Sequence, residues 1–236
     1  MTCAACGKGA QYHQYRQEEP HEHFLKGVSF PVSGCEDVPK GWRRKNGAAR
    51  FTARVRNVLC DNSCPDSDWA SIMQAFFAAI NKARKSIYIS TPYFLPNQAI
   101  LTALKVAALS GVDVRIILPF RSDSKIVYWA SRSYIGEMLD AGIKVYFFCK
   151  GFNHSKILII DDNFCSVGSA NMDIRSFEDN FEVSAIMYDP KVAEELTGYF
   201  LGDIGNSVAV TPESWENRPN LHAVYESLAR LASPLL

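Results

Sequence analysis

The chain has 236 residues, 47% of them hydrophobic, and 25 Lys and Arg balance 25 Asp and Glu to give zero formal net charge. That length carries a full core without a disulfide or metal staple, and the composition excludes a disordered or collagen-like chain. No run of 18 apolar residues is present, which excludes a bilayer-spanning helix, and the charge balance disfavours capture of a polyanion by bulk electrostatics.

The first stretch differs from the rest. Residues 1–62 hold 10 Lys/Arg and 6 Asp/Glu, a local charge of +4, and residues 63–236 hold 15 and 19, a local charge of −4. Neither helical nor strand periodicity runs through the opening stretch, so residues 1–62 are expected to form an irregular leader and 63–236 the regular domain. The first residues lack the charged-then-apolar layout of a secretory signal. Seven cysteines without repeating spacing fit a reducing compartment better than a disulfide framework. Cys3 and Cys6 form one CxxC near His13, His21 and His23; without a second pair at metal spacing this reads as part of the irregular leader, not as a zinc site.

The regular elements then follow in order. Trp69, Ile72, Met73, Phe76, Phe77 and Ile80 recur at helical spacing, ending near Lys85. Residues 86–90 read as a strand running into Thr91-Pro92-Tyr93-Phe94. Residues 97–110 form a helix closed by Gly111, 112–118 a strand, 124–140 a long helix before Gly142, and 145–148 a strand. This alternation predicts parallel strands covered by helices. The rhythm then changes. Residues 154–160 and 164–167 are strands joined by the Asp161-Asp162-Asn163 turn, 181–187 is another strand, Pro190 opens a helix to about Leu201, and 220–232 is a final amphipathic helix. The fold class is therefore α/β with a mixed sheet flanked by helices. In the last helix Leu221, Val224, Leu228 and Leu231 make an apolar face, which most commonly packs on its own domain and otherwise lies on a membrane surface.

The chemistry concentrates in His154-Ser155-Lys156, Asp161 and Gly168-Ser169-Ala170-Asn171. If 154–160 is a strand, His154 and Lys156 share a face, and the hairpin returns Ser169 and Asn171 to the same end. One histidine, one fixed cation and two neutral hydrogen-bonding side chains suit a phosphodiester. Lys156 would neutralise a non-bridging oxygen, Ser169 and Asn171 would donate to the others, and His154 would attack phosphorus or protonate the leaving alkoxide. No carboxylate cluster for two metals is evident, so a route without metal or other cofactor is the economical one. Tyr93, at the end of a parallel strand, reads equally as a site-lining or a packing aromatic. Arg175 reads as a headgroup contact or as a partner of Asp173 or Glu178.

The pattern His-x-Lys-x4-Asp-x6-Gly-Ser-x-Asn resembles the HKD motif of the phospholipase D superfamily. Residues 168–177 with Asn180-Phe181-Glu182-Val183 resemble the second HKD region of bacterial cardiolipin synthases, and Ser90-Thr91-Pro92-Tyr93-Phe94-Leu95-Pro96 and Gly111-Val112-Asp113-Val114 resemble the preceding part of the same half. The resemblance implies a phospholipase D-like fold and phosphatidyl transfer between phosphatidylglycerol molecules through a phosphohistidine. It implies His154, Lys156 and Asp161 as the catalytic motif, Ser169 and Asn171 as phosphate-binding residues, and Glu182 as the group orienting a catalytic histidine. Asp161 lies at the far end of the strand, which suggests that it holds the hairpin structurally. Cardiolipin synthases of this type carry two such motifs and N-terminal membrane helices, whereas this sequence has one motif and none of those helices. The implied partners are an anionic phospholipid, a membrane surface on the cytoplasmic side, and a second copy or an N-terminal half bringing the other motif. A homodimeric phosphodiesterase or nuclease is the competing reading, weakened by the zero net charge. An inactive remnant is the third.

Overall fold

The computed structural model describes residues 58–63 and 70–233; Cys3, Cys6, His13, His21 and His23 lie outside them. The elements are β1 (Val58–Ser63), α1 (Ser71–Lys82), β2 (Ser86–Ser90), β3 (Phe94–Leu95), α2 (Gln98–Leu109), β4 (Asp113–Pro119), α3 (Lys125–Arg132), α4 (Ile135–Asp140) and β5 (Lys144–Phe148). They continue with β6 (Ile157–Ile160), β7 (Phe164–Gly168), β8 (Met172–Asp173), α5 (Ile174–Glu178), β9 (Glu182–Tyr188), α6 (Pro190–Gly205), β10 (Ser207–Val210), α7 (Pro212–Glu216) and α8 (Asn220–Ala232).

Among the described residues these strands form one eight-stranded sheet in the order β1-β9-β7-β6-β2-β4-β5-β10, with β3 and β8 as a separate parallel pair. β2, β4 and β5 are mutually parallel, as alternating strands and helices dictate. The β6–β7 hairpin then inserts antiparallel to β2, and β9 and β1 extend that half of the sheet, also antiparallel. The sheet is mixed, as expected. Its core is built from Ile87, Ile89, Val114, Ile116 and Leu118 with Ile72, Phe76, Ile80, Leu101 and Leu104 of α1 and α2. On the opposite face α6 packs on β2, β5, β6, β7 and β10, and Phe200 stacks on Tyr88 with ring centroids 5.0 Å apart. Leu158, Ile159 and Ile160 are all buried, so β6 is covered on both sides.

Four sequence expectations need correction. β1 lies within the stretch assigned to the irregular leader, so the regular domain begins earlier. Its polar second half (Asp61-Asn62-Ser63) breaks the alternation that would have marked it, and among the described residues it pairs with β9 alone. The helix expected over 124–140 is two, because the Ser133 hydroxyl donates to the Ala130 carbonyl (2.6 Å) where the first ends. The strand expected from His154 starts only at Ile157, because Asn153 Oδ1 accepts the Ser155 N–H (3.0 Å) in a local turn that competes with the ladder. α8 does pack on its own domain, but its leucines face outward.

Candidate active site

One end of the sheet gathers His154, Lys156, Ser169, Asn171 and Glu182. Ser90 ends β2 opposite Ile157, which opens β6, and Gly168 ends β7 opposite Ser184 near the start of β9. The C-terminal ends of β2, β4, β5 and β7 therefore share an edge with the N-terminal ends of β6 and β9. Open α/β sheets place ligands at such an edge. His154 and Lys156 lie in the segment entering β6, Ser169 and Asn171 in the segment leaving β7, and Glu182 opens β9.

His154 is exposed and Lys156 half-buried. The Lys156 ammonium donates to the His154 carbonyl (2.9 Å) and sits 3.1 and 3.2 Å from the two ring nitrogens. A fixed positive charge thus stands beside the imidazole, where a phosphate oxygen would need neutralising as the ring engages phosphorus. The pairing arises from the turn and not from strand alternation, because neither residue is in β6. Phe152 lies against the imidazole, ring centroids 5.4 Å apart.

The segment around His154 is fixed by groups that sequence reasoning missed. Asn153, 6% exposed, donates through Nδ2 to Ser90 Oγ (3.3 Å) and Asp203 Oδ2 (3.4 Å). Ser155 Oγ lies 2.8 Å from Ser90 Oγ and also donates to Asn153 Oδ1. With Ser90 donating to Ser155, the three side chains form a closed ring of hydrogen bonds in which each hydroxyl donates once and accepts once. The residues on both sides of His154 are thereby anchored to the end of β2. The available signal was an amide and a hydroxyl flanking the histidine, beside a strand ending in serine.

Asp161 lies at the opposite end of β6, roughly 20 Å along an extended chain from His154. Its carboxylate accepts the backbone N–H groups of Arg84 (3.1 and 3.2 Å), Lys85 (2.7 Å) and Ser86 (3.0 Å). It stands in the left-handed region at φ 53° and donates its own N–H to the Ser86 carbonyl (2.9 Å). The motif aspartate thus clamps the α1–β2 turn onto the β6–β7 hairpin. The bonds are structural, as its place at the far end of the strand suggests, and their donors come from the α1–β2 connection.

Ser169 and Asn171 arrive at the site end, but the Ser169 hydroxyl is already engaged. The Ser169 hydroxyl donates to Glu182, and its oxygen accepts the Val183 N–H (3.1 Å). Asn171 donates its backbone N–H to Ser176 Oγ (3.1 Å), and its Oδ1 is buried with no hydrogen-bond partner among the described residues. Glu182 also accepts from Ser176 (3.3 Å) and Asn180 (3.4 Å). Its hydrogen-bond partners among the described residues are these three and not His154, so within one copy it holds the β7–β9 connection at the site. Burial pushes the Asp173 carboxyl above its ordinary range, against the hydrogen bonds from Ser176 and Asn171. Asp173 also caps α5 through the Ser176 N–H (2.7 Å).

Tyr93, on the exit from β2, donates its hydroxyl to the two Asp123 oxygens (2.7 and 2.8 Å). Burial and this bond push the phenol up to about 12. Burial raises the Asp123 carboxyl, but hydrogen bonds from Tyr93, Ser122 and the backbone outweigh it and hold it below its usual range. Arg175 is exposed on α5. His222 is on α8, its ring 5.0 Å from that of Trp129. Among the described residues, the motif therefore supplies one histidine to the site. Among the same residues, no group of three or more His, Cys, Asp or Glu side chains is placed to hold a metal ion.

Solved structures share this architecture. Nuc, a phospholipase D family member from Salmonella typhimurium, aligns over 66% of this chain and 98% of its own at TM-score 0.57 and 24% identity. NucT from Helicobacter pylori aligns over 65% and 100% at 0.54 and 23%. The phosphatidylserine synthase of Haemophilus influenzae aligns over 75% of this chain and 45% of its own at 0.58 and 15%. At these identities the likeness is one of fold, and the fold is that of the phospholipase D-like proteins. Residues 76–204 match the family model described as cardiolipin synthase, PLD-like domain, and the chain belongs to that family. Cardiolipin synthases of Geobacillus sp. (strain WCH70) and Geobacillus kaustophilus are 51% and 49% identical to it over 172 residues, 73% of this chain and 34% of theirs. The chain thus spans about a third of the length of these curated relatives.

Proposed function

We propose that this domain is one half of a phosphatidyltransferase site of the cardiolipin synthase type. The observation that carries the reading is the Lys156 ammonium 3.1–3.2 Å from both nitrogens of His154, at the ligand-binding edge of a sheet from this family. The complete site needs a second histidine, brought by a second copy of the chain or by a half bearing the other motif. One histidine nitrogen attacks the phosphorus of phosphatidylglycerol and forms an N–P bond as the P–O bond to the headgroup glycerol breaks. The other histidine protonates the departing glycerol oxygen. That second histidine then takes the proton from a hydroxyl of another phosphatidylglycerol, whose oxygen displaces the N–P bond and completes cardiolipin. Lys156 neutralises a non-bridging oxygen throughout. Ser169 and Asn171 join it if their present bonds open, and Glu182 orients a histidine if it reaches one across the assembled site. The reaction runs at the cytoplasmic surface of a membrane holding anionic phospholipid.

The test is cardiolipin formation from phosphatidylglycerol vesicles, read by mass spectrometry, for the chain alone and with the N-terminal half of a two-motif relative. Cardiolipin should form in at least one arrangement and disappear in His154→Ala. No turnover in either, with both components folded, would refute the reading.

A further inference from the structure

The last helix is inverted with respect to its sequence pattern. Leu221, Val224, Leu228 and Leu231 of α8 are 57, 52, 61 and 80% exposed, whereas Glu226 on the opposite face is 3% exposed. An amphipathic helix that packs by its apolar stripe does the reverse. α8 is held by polar contacts instead. Glu226 pairs with Arg218 (3.0 Å) and lies 4.0 Å from the buried Arg132, Arg230 donates to the Ser133 carbonyl (3.0 Å) and pairs with Glu137, and the Tyr134 and Ser233 hydroxyls meet at 3.1 Å. These bonds fix the helix so that its aliphatic side chains point away from the protein. The exposed positions, completed by Asn220, Tyr225 and Ser227, carry no charged side chain.

We propose that α8 is a docking helix that seats this domain on an anionic phospholipid bilayer. The inference rests on the phosphatidyl-transfer reading, which requires the lipid phosphate to reach His154 while its acyl chains stay in the bilayer. Three features select this occupant. The exposed positions of the stripe itself carry no charged side chain that would have to enter an apolar layer. Aromatic rings gather at one edge, with Trp129 5.3 Å from Tyr225 and 5.0 Å from His222, the residue types that settle at a membrane–water boundary. Arg218 precedes the helix and Arg230, with a side chain 40% exposed, lies in its last turn; each is paired with a carboxylate, Glu226 and Glu137, and offers a headgroup phosphate only its remaining exposed N–H groups at the ends of the apolar surface. The placement also suits the substrate. α3 begins shortly after β4 ends at the site edge, and α8 runs beside it with His222 nearer that edge than Arg230.

The experiment is vesicle flotation of the full chain with phosphatidylglycerol–phosphatidylcholine vesicles and with phosphatidylcholine alone. The wild type should bind the anionic vesicles more tightly than the neutral ones. The double variant Leu228→Asp/Leu231→Asp should bind at least about tenfold more weakly. Because both leucines are exposed, its melting curve should match the wild type. His154→Ala should float as the wild type does, which separates docking from chemistry. If His154→Ala and wild type float alike but no cardiolipin forms, the transferase reading fails and docking stands. Three results would overturn the proposal: wild type that does not float, a double variant that floats unchanged, or light scattering showing a wild-type dimer that the double variant dissolves, which would assign the stripe to a second copy.

Discussion

Replacing Asp161 separates structure from chemistry within the motif. Its carboxylate accepts three successive backbone N–H groups, from Arg84, Lys85 and Ser86. Water replaces part of what is lost at this partly exposed site, so each bond is worth about 1 kcal/mol and the set about 3 kcal/mol. The left-handed backbone at φ 53° adds about 1 kcal/mol for a residue with a Cβ and no compensating side chain. Asp161→Ala should therefore lose about 4 kcal/mol, Asp161→Gly about 3 kcal/mol because it relieves the backbone, and Asp161→Asn about 1 kcal/mol because its carbonyl still accepts and its backbone tolerates this region. Urea unfolding followed by circular dichroism gives the three midpoints. Cardiolipin formation per folded molecule should stay near wild type in all three, because the site lies at the other end of β6. Unchanged midpoints with abolished turnover would refute the clamp and return Asp161 to the chemistry.

Three further outcomes follow from the geometry. Gly168→Ala places a Cβ 2.7 Å from the Ser184 Cα, so β9 must shift; about 1–3 kcal/mol should be lost, together with weakened Ser169–Glu182 placement, and a fully stable, active variant would contradict this. Asp173 has a raised folded-state pKa, so the folded state holds its proton more tightly than the unfolded; its stabilisation is present below the ordinary carboxylate value of about 4 and is lost as pH rises through the raised one. Asp173→Asn keeps a helix cap and removes that dependence, so its melting temperature relative to wild type should climb as pH rises above about 4, and a flat difference would be contrary. Arg132 is 7% exposed among the rings of Tyr128, Phe147 and Trp215 at 4.9, 4.6 and 5.1 Å; Arg132→Met should cost about 3 kcal/mol by leaving Glu226 less compensated, and adding Glu226→Gln should recover part of it in a double-mutant cycle.

The order of elements was legible where burial imposes a period. The Ile72, Phe76, Ile80 stripe of α1, the apolar runs of β4 and β6, and Gly111 and Gly142 at positive φ all declare themselves locally. The motif residues were legible for the same reason, since their spacing along a hairpin brings Ser169 back to Lys156, whose carbonyl accepts the Gly168 N–H (3.3 Å). What stayed hidden depends on partners distant in sequence. The ring of Ser90, Asn153 and Ser155 spans more than sixty residues, and Asp161 finds its donors more than seventy residues earlier. β1 and β10 were missed because among the described residues each has one neighbour in the sheet, so neither needs the alternation that a half-buried strand displays. The outward turn of α8 was missed because an apolar stripe does not say which way it faces.

The pairing of β1 with β9 also has a consequence for how the chain is made. Val58 meets Met187 and Ser63 meets Glu182, so β1 leaves the ribosome roughly 130 residues before its partner strand is complete. At about 5–20 residues per second, that leaves this strand unpaired for roughly 6–26 s of translation. The β6–β7 hairpin fills the middle of the sheet during the same interval, and β9 must dock on β7 before β1 has an edge to join. Closure of the sheet at β1 thus waits for β9, and the end of β9 that carries Glu182 is secured on both flanks only when it occurs.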